Sequence, residues 1–213
     1  MDLARLRLHT DRLLLHVPQA EDAAELLAYH GRNEGHLGRF APPRPPGFLT
    51  LAHWERRIPR LHAEARSGVA LWLALRARVG GAAAGGAAGA RPAGAVLGHC
   101  HLFQILRGAQ QCCHLGYGLD RGEVGRGLMS EAVAEVVRFA FEDLRLQRVV
   151  ANHDPENARS ARLLARAGFE TEGRARRALF TAEGWRDLMV TARLNPDPAR
   201  VALPAELAQA VTP

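Results

Sequence analysis

The pattern in the sequence most suggestive of chemistry is a set of four glycines that extends from the end of a strand-like run to the start of an amphipathic segment. The strand-like run covers residues 113–119 and stops at Asp120, and the segment 128–141 repeats apolar residues at the spacing of one buried helical face. Glycine lets the backbone approach a ligand closely, and the free N–H groups at a helix N-terminus attract anions. The pattern therefore predicts a phosphate-binding loop. The glycines are Gly118, Gly122, Gly125 and Gly127.

The loop does not match the two common nucleotide-binding motifs. It lacks the Gly-Lys-Ser/Thr ending of a P-loop. It also differs from the dinucleotide fingerprint, because its glycines are spaced differently and no suitable acidic residue follows. Its ligand is therefore expected to carry a phosphate of another kind.

The composition is that of a folded protein with an excess of positive charge. The chain has 213 residues, of which 47% are hydrophobic and 23% are charged, as in a globular domain with a sizeable core. The net charge is +6, and all 28 basic residues are arginine. This balance favours a phosphate-rich ligand or proximity to an anionic assembly such as RNA. No apolar run is long enough for a membrane span and no signal-peptide pattern is present, so we expect a cytoplasmic protein.

The cysteines and the closely spaced histidines add little chemistry. Cys112 and Cys113 are neighbours, so at most one of them faces the core, and reduced thiols are expected. Cys100 likewise lacks a recognisable arrangement with a histidine and a carboxylate. His99 and His101 share one face of a predicted strand, but no third ligand stands at a useful spacing, so we expect no metal site.

Turn residues and hydrophobic runs divide the first half of the chain. Glycine and proline are frequent between residues 31 and 50, which predicts a loop. Pro59 is expected to kink or interrupt the helix in which it lies. The predicted elements are a strand over 5–17, a short helix after Pro18, a helix over about 51–67, and strands over 69–79 and 95–106.

The second half predicts a strand–helix–strand unit followed by a helix and a hairpin. A crossover of this length predicts that the strands over 112–119 and 146–152 are parallel, with a right-handed connection. Gly168 is expected to end a helix that starts near Asn157. A closing hairpin follows over 169–194.

Several segments resemble the GCN5-related N-acetyltransferases, the GNAT superfamily. Residues 124–129, Val-Gly-Arg-Gly-Leu-Met, are similar to the superfamily's pyrophosphate loop, which usually reads Gln/Arg-x-x-Gly-x-Gly/Ala; the first and last positions differ here. Residues 157–173 are similar to its second signature, on the far side of the cofactor. The opening 10–15 and the ending 184–187 resemble the RimJ/RimL branch. The resemblance extends roughly over residues 8–196.

This resemblance implies a GNAT fold of the α/β (α+β) class. Such a fold has a mixed central sheet in which a splayed pair of parallel strands is flanked by helices. It implies an N-acetyltransferase domain over residues 1–195 and a C-terminal tail over 196–213. Residues 80–90 contain only glycine and alanine, so a flexible loop is expected over 80–94.

The resemblance also implies acetyl-CoA as the donor, bound in the gap between the parallel strands. Loop amides would hold the pyrophosphate, and strand-edge groups and two asparagines would bind the pantetheine arm. Arg126 either adds a charge-assisted contact or is a solvated arginine, and Asn157 can also cap its helix. The expected binding residues are Tyr117, Gly118, Leu119, Val124, Gly125, Arg126, Gly127, Leu128, Met129, Ser130, Asn152 and Asn157.

The implied reaction is direct attack of a neutral amine on the thioester in a ternary complex. A backbone N–H near Leu119 would polarise the carbonyl. Many superfamily members use a helix tyrosine as proton donor, but Leu164 stands at that position here. Ser160 is therefore the candidate donor, and a structural hydroxyl at a helix start is its alternative role.

No side chain is assigned as the general base. Asp187 and Glu172 lie in motif positions and are expected to be structural, and His114 and His153 are expected to pack or face solvent. An N-terminal amine has a pKa of about 8, so about a tenth of it is already neutral at pH 7. A water relay can then remove the remaining proton.

The branch resemblance implies that the acceptor is the N-terminal alanine of a ribosomal protein similar to S5. Another protein N-terminus or a small-molecule amine is the alternative within the same chemistry. A CoA-binding ribosome-assembly factor with little catalysis is the alternative of another class. A strongly acidic groove would favour a cationic small amine, and a wide, open groove would favour a peptide terminus.

Overall fold

The computed structural model describes residues 2–78 and 94–203. The predicted flexible loop over 80–94 lies outside the described residues, apart from Gly94. The strands are β1 (Arg7–His9), β2 (Leu13–His16), β3 (Leu71–Ala77), β4 (Val96–Leu106), β5 (Cys112–Leu119), β6 (Arg148–His153), β7 (Glu170–Thr181) and β8 (Gly184–Leu194). The α-helices are α1 (Ala23–Arg32), α2 (Glu34–Gly38), α3 (Leu51–Ser67), α4 (Leu128–Glu142) and α5 (Ala158–Arg166).

The eight strands form one mixed sheet in the order β1-β2-β3-β4-β5-β6-β8-β7. Among the described strands only β5 and β6 are parallel, which confirms the prediction from the strand–helix–strand unit. They pair over a short stretch that ends at His114 and Val150. Beyond it β5 continues along β4 as far as Leu119, while β6 pairs with β8. The sheet therefore opens between β5 and β6, as the GNAT resemblance implied.

Strand β3 shows how the sheet is covered on both faces. Its alternate residues Leu71, Leu73 and Leu75 belong to the core that α4 covers, whereas Trp72 and Ala74 belong to a second core beneath α1 and α3. A strand that is buried on both sides reads as a continuous apolar run, as this one does. In the described residues no helix is both long and apolar enough to cross a membrane.

The prediction of one strand over residues 5–17 is wrong, because this segment is a hairpin of β1 and β2. The turn forms at Thr10, whose side-chain oxygen accepts a hydrogen bond from the amide of Leu13 at 2.9 Å. Such local bonds between a threonine side chain and the backbone compete with a continuous strand. The turn residues are held from outside by Glu131 of α4, as described below.

The prediction of a loop over residues 31–50 and that of a broken second helix also need correction. The first segment contains the short helix α2, and Gly35 and Gly38 within it do not prevent one helical turn. Helix α3 runs without interruption through Pro59. Its apolar face, which includes Trp54, is buried against the sheet and α1, and this packing compensates for the hydrogen bond that proline cannot donate.

The residues after β8 begin by packing against the domain. The buried Asn195 donates a side-chain hydrogen bond to the carbonyl of Leu146 at 2.9 Å. The Gln111 amide donates to the carbonyl of Ala202 at 2.7 Å, and Ala202 donates to the carbonyl of Arg145. The described part of the expected tail therefore lies along the start of β5 and the turn before β6.

Candidate active site

The loop between β5 and α4 presents backbone amides at the start of a helix. Gly125 and Gly127 have positive φ angles of 88° and 76°, and Gly127 is the N-cap of α4. No side chain caps this helix, and the amides of its first three residues donate to no acceptor within the described residues. A helix start of this kind carries partial positive charge and free donors. The loop therefore has the geometry of the predicted phosphate site.

The side chains of the loop mostly point away from that amide cradle. Leu128 and Met129 are buried in the main core, and the amide of Val124 closes the preceding 3₁₀ turn by donating to the carbonyl of Arg121. Arg126 forms an ion pair with the buried carboxylate of Glu123. Arg126 is therefore not a simple solvated arginine.

Arg12 braces the loop from behind, a role that the sequence did not reveal. Its Nε donates to Glu131 Oε2 at 2.6 Å, its backbone amide donates to Glu131 Oε1 at 2.9 Å, and its Nη1 donates to the carbonyl of Arg126 at 2.8 Å. Thr10 also bonds to Glu131. Burial tends to raise the pKa of Glu131, but the bonds from Thr10 and Arg12 outweigh it and lower that pKa. The β1–β2 turn thus fixes the loop at Arg126.

Asp120 anchors the other end of the loop to α1. Its buried carboxylate accepts hydrogen bonds from Arg32 Nε at 2.6 Å, Asn33 Nδ2 at 2.9 Å and the amide of Gly122 at 2.9 Å. Asn33 Oδ1 in turn accepts from the amide of Arg121. The loop is therefore fixed at both ends by groups that are distant in sequence.

The end of β5 exposes backbone groups towards the opening. The amide of Asp120 donates to Leu97 on β4, so alternation turns the N–H and C=O groups of Gly118 towards β4 and those of Tyr117 and Leu119 towards β6. Because β6 no longer pairs there, Tyr117 and Leu119 offer a strand edge. Asn152 lies with an exposed side chain near the end of β6.

Gly118 is required by its surroundings. A Cβ atom there would lie 2.6 Å from His99 Cε1 and 3.0 Å from Leu37 Cδ2. His99 stacks on Trp72 and cannot retreat easily. This close approach brings the layer of α1 and α2 against β5.

Asn157 and Ser160 form the start of α5. Asn157 is the N-cap, and its Oδ1 accepts from the amide of Ser160 at 3.1 Å, as expected for a helix cap. Within the described residues the Ser160 hydroxyl makes no bond to the backbone; its oxygen lies 2.6 Å from the Tyr117 phenol oxygen. Leu164, at the position where other superfamily members carry a tyrosine, is buried in the main core.

A cleft of about 290 Å³ lies beyond the end of β6. Arg186 bonds to Asp154 at 2.8 Å and to Glu156 at 2.9 Å, and Arg174 pairs with Asp187 at 2.8 Å. The bond from Arg186 is the main reason that the pKa of Asp154 is lowered. The cleft is therefore charged but not strongly acidic. Its lining residues are Asp154, Pro155, Glu156, Arg174, Trp185, Arg186 and Asp187.

The motif carboxylates outside the loop have structural partners. Glu172 pairs with Arg148 of β6. Asp187 accepts from the amide of Arg177 at 2.8 Å as well as from Arg174. His153 Nδ1 lies 2.9 Å from the carbonyl oxygen of Asp154. These contacts agree with the structural roles expected for the two carboxylates.

An aromatic cluster lies between α1, α3 and the sheet. His99 Nδ1 is 3.1 Å from the Tyr29 hydroxyl, and His30 stacks on Trp54 with ring centroids 4.7 Å apart. Burial lowers the pKa of His99 to about 3 and that of His30 to about 2. Among the described residues no three histidine, cysteine or carboxylate side chains group as metal ligands. The members of this aromatic cluster are Tyr29, His30, Phe48, Trp54, Trp72 and His99.

The three cysteines are free thiols. Cys113 is buried and Cys112 is partly exposed, which confirms that only one of the pair faces the core. Cys100 lies beneath α4, with its sulfur 3.9 Å from that of Met129, and burial raises its pKa. These thiols are part of the packing of the sheet.

Comparison with known proteins identifies the family to which this chain belongs. Residues 12–170 match the acetyltransferase (GNAT) domain. The chain is 30% identical over 196 residues to the [ribosomal protein uS5]-alanine N-acetyltransferase of Escherichia coli. This alignment covers 92% of this chain and 94% of the relative. The structure of ribosomal-protein-S5-alanine acetyltransferase from Vibrio fischeri superposes with a TM-score of 0.80 at 26% identity, covering 90% of this chain and 98% of that one.

A further solved structure shares the fold with a CoA compound bound. RimJ of Mycobacterium smegmatis in complex with CoA-disulfide superposes with a TM-score of 0.76 at 24% identity, covering 88% of this chain and 86% of that one. The glycine loop, the open parallel pair and the helix after β6 are thus found in a chain whose family is established over most of its length. The protein belongs to the GNAT acetyltransferase family and is an enzyme that uses acetyl-CoA as its acetyl donor.

Proposed function

We propose that this enzyme transfers the acetyl group of acetyl-CoA to the N-terminal alanine of a ribosomal protein similar to S5. The observation that carries the proposal is the extent of the similarity to the E. coli uS5-alanine enzyme, which covers 94% of that relative. An alignment of this extent includes the loop, α5 and most of the elements around the opening. The acceptor is therefore inferred from the whole domain rather than from a single motif.

The donor would lie along the opening between β5 and β6. The amides from Gly125 to Ser130 would surround the pyrophosphate, because that of Val124 already donates to Arg121. Most of the charge stabilisation would come from the free N–H groups at the start of α4. Arg126 would share its charge between the phosphate and Glu123. The edge groups of Tyr117 and Leu119, together with Asn152 and Asn157, would bind the pantetheine amides.

The acetyl group would then lie at the end of β5. The Leu119 N–H faces the opening and would polarise the thioester carbonyl. Ser160, at the first turn of α5, would give its proton to the departing sulfur. The structure offers no obvious general base among the motif carboxylates, since Glu172 and Asp187 are held in ion pairs. An N-terminal amine with a pKa of about 8 needs only water to accept its proton.

The charges of the cleft favour a peptide terminus over a polycation. Three carboxylates line it, but each is paired with an arginine: Arg186 holds two of them and Arg174 holds the third. A cationic small amine would have to compete with these guanidinium groups. Trp185, which is 63% exposed, adds an apolar wall suited to a short peptide segment.

The proposal is tested by intact-mass analysis of an S5-like ribosomal protein incubated with the enzyme and acetyl-CoA. One added acetyl group, about 42 Da, is expected, and it should disappear when the N-terminal amine is blocked beforehand. A matched substrate that starts with proline in place of alanine separates terminal from internal modification. Acetylation of lysine side chains in the blocked protein would contradict the proposed acceptor.

A negative result would still discriminate between the alternatives. Transfer to small amines but not to the ribosomal protein would assign the enzyme to another acceptor. Tight acetyl-CoA binding without transfer to any amine would favour a CoA-binding factor that acts on ribosome assembly. With small amines added to the incubation, release of free CoA reports transfer to any acceptor, and calorimetry with acetyl-CoA reports binding without transfer.

A further inference from the structure

The hydroxyl groups of Tyr117 and Ser160 meet across the opening of the sheet. Tyr117 lies on β5 and Ser160 on α5, which follows β6, so the two groups come from opposite sides of the gap. Their oxygen atoms are 2.6 Å apart. The contact bridges the two sides of the opening where β5 and β6 share no backbone hydrogen bonds, since their pairing stops at His114 and Val150.

Each hydroxyl has the other as its hydrogen-bond partner within the described residues. The Ser160 amide is engaged separately, by Asn157 Oδ1 at 3.1 Å. Ser160 is only 9% exposed, and Tyr117 is partly buried against the main core. The pair is therefore a small polar contact held between apolar layers.

The chemistry of the two groups sets the direction of the hydrogen bond. A phenol is a stronger acid than an aliphatic alcohol, so the phenol is the better donor and the serine oxygen the better acceptor. Burial raises the pKa of Tyr117 to about 12, although the bond to Ser160 acts in the opposite direction. Tyr117 therefore stays protonated at any working pH. A serine hydroxyl has one hydrogen and two lone pairs, so accepting from Tyr117 leaves its own hydrogen free.

We propose that Tyr117 is a positioning residue for acetyl transfer: its phenol donates to Ser160 Oγ and directs the serine hydrogen into the opening, towards the departing sulfur. This inference rests on the proposed role of Ser160. The donated bond also stabilises negative charge on Ser160 Oγ, which makes the serine a stronger acid. A tyrosine on β5 thus supports the proton donor in a chain whose α5 carries Leu164.

The reaction balances with the phenol unchanged. The amine nitrogen forms a bond to the thioester carbon, the C–S bond breaks, and its electron pair goes to sulfur. Ser160 passes its proton to the sulfur, and the proton lost by the amine returns to Ser160 through water. Tyr117 keeps its hydrogen throughout and stabilises the serine oxygen while that oxygen is charged.

A double-mutant cycle tests this assignment. Tyr117→Phe keeps the ring but removes the donor, and we expect kcat to fall about tenfold while the KM for acetyl-CoA stays within about twofold. Ser160→Ala should lower kcat about a hundredfold. Adding Tyr117→Phe to Ser160→Ala should have no further effect, because Tyr117 acts through Ser160. Tyr29→Phe, at the chain's other tyrosine, is the matched control and should combine additively with Ser160→Ala.

The assay follows CoA release with small primary amines as acceptors and subtracts the rate measured without enzyme, so that it does not depend on the ribosomal protein. CoA release without S5 acetylation would then refute the proposed acceptor alone. Additive effects of Tyr117→Phe and Ser160→Ala, or an unchanged kcat in Tyr117→Phe, would overturn the assignment of Tyr117. Equal acetyl-CoA affinity in parent and variants shows that each protein is folded. Absence of CoA release by the parent enzyme with both the small amines and the S5-like protein would refute both inferences.

Discussion

The loop that enters α4 and the aromatic cluster meet at β5, but they are stabilised in opposite ways. In the loop, charged groups that are partly or fully removed from solvent have partners: Arg12 with Glu131, and Asp120 with Arg32. In the aromatic cluster, Tyr29 and His99 share a hydrogen bond, but several other polar atoms are buried without partners. Both ring nitrogens of His30 and the indole nitrogen of Trp54 lack a hydrogen bond within the described residues.

The comparison shows what each region contributes to a binding site. The paired charges of the loop cancel one another and leave the backbone amides as its free donors, already fixed in direction. The cluster instead excludes water and charge, since burial keeps His30 and His99 neutral. One side of β5 is therefore preorganised for an anion, and the other is a packed apolar layer that holds β5 in place.

The largest effect is expected from Gly127→Val, which disrupts the loop. Gly127 has a φ of 76°, and a Cβ atom there would lie 3.4 Å from Arg12 Nη2. A β-branched residue cannot adopt this conformation without strain, so the first amides of α4 would turn away from the phosphate. We expect acetyl-CoA affinity to fall at least about a hundredfold by calorimetry. Gly173→Val, in open space on β7, is the control; equal losses in both would contradict the assignment of the loop.

Gly118→Ala attacks the contact between the two regions. The added methyl group would lie 2.6 Å from His99 Cε1. His99 stacks on Trp72 with ring centroids 5.1 Å apart and cannot move away freely, so we expect the free energy of unfolding to fall by about 1–3 kcal/mol. The matched control is Gly116→Ala, two residues earlier, where the nearest atom is a Phe103 carbon at 3.6 Å. Denaturant unfolding should separate the two variants, and equal midpoints would show that the contact is soft.

Glu131→Gln tests whether the ion pair with Arg12 holds the loop in place. It keeps the shape of the side chain but removes the charge that Arg12 neutralises. Hydrogen bonds to charged groups contribute about 1.5–3 kcal/mol, so a partial loss corresponds to about a tenfold weaker affinity for acetyl-CoA. Arg12→Gln should give a loss of similar size by the same calorimetric measurement. An unchanged affinity in both variants would mean that the loop holds its shape without this brace.

Local patterns were sufficient to predict the backbone of the glycine loop and of the parallel strand pair. The glycines and the 3.6-residue periodicity located the loop and α4, and a crossover between strands of this length required a parallel pair. The cap at Asn157 followed from residue type and position alone. These features depend on residues close together in the chain, which is why the sequence was informative about them.

Contacts between distant residues were not visible in the sequence. Arg12 and Glu131 are separated by 119 positions, and Tyr117 and Ser160 by 43. Tyr117 was expected to contribute only its backbone, yet its side chain reaches across the opening. No spacing rule predicts such pairs, because they depend on how the sheet brings its elements together. The same reason explains why the contact of Thr10 with Glu131 of α4 was missed, although the turn's own bond to Leu13 is local.

His30→Phe tests the buried, unpartnered histidine of the aromatic cluster, and the smallest effect is expected there. Replacing a buried polar group that has no hydrogen bond should change the free energy of unfolding at pH 8 by less than about 1 kcal/mol. The difference should appear in acid. The pKa of His30 falls from an ordinary 6.5 to about 2 on folding, so below pH 6.5 the unfolded chain binds a proton that the folded chain does not. The stability of the parent must therefore fall as the pH drops from 6.5 towards 2, by up to about 1.4 kcal/mol per pH unit for this group.

The variant lacks this group, and its unfolding free energy should decline less steeply between pH 6.5 and 4.5. Below pH 4.5 the loop begins to contribute a slope of its own, because the pKa of Glu131 is lowered from an ordinary 4.5 and the unfolded chain then takes up its proton first. Urea titrations of parent, His30→Phe and Glu131→Gln across this range show which pH interval depends on the aromatic cluster and which depends on the loop. Identical acid slopes in parent and His30→Phe would show that His30 becomes protonated in the folded protein, and would remove the charge-excluding role of the aromatic cluster.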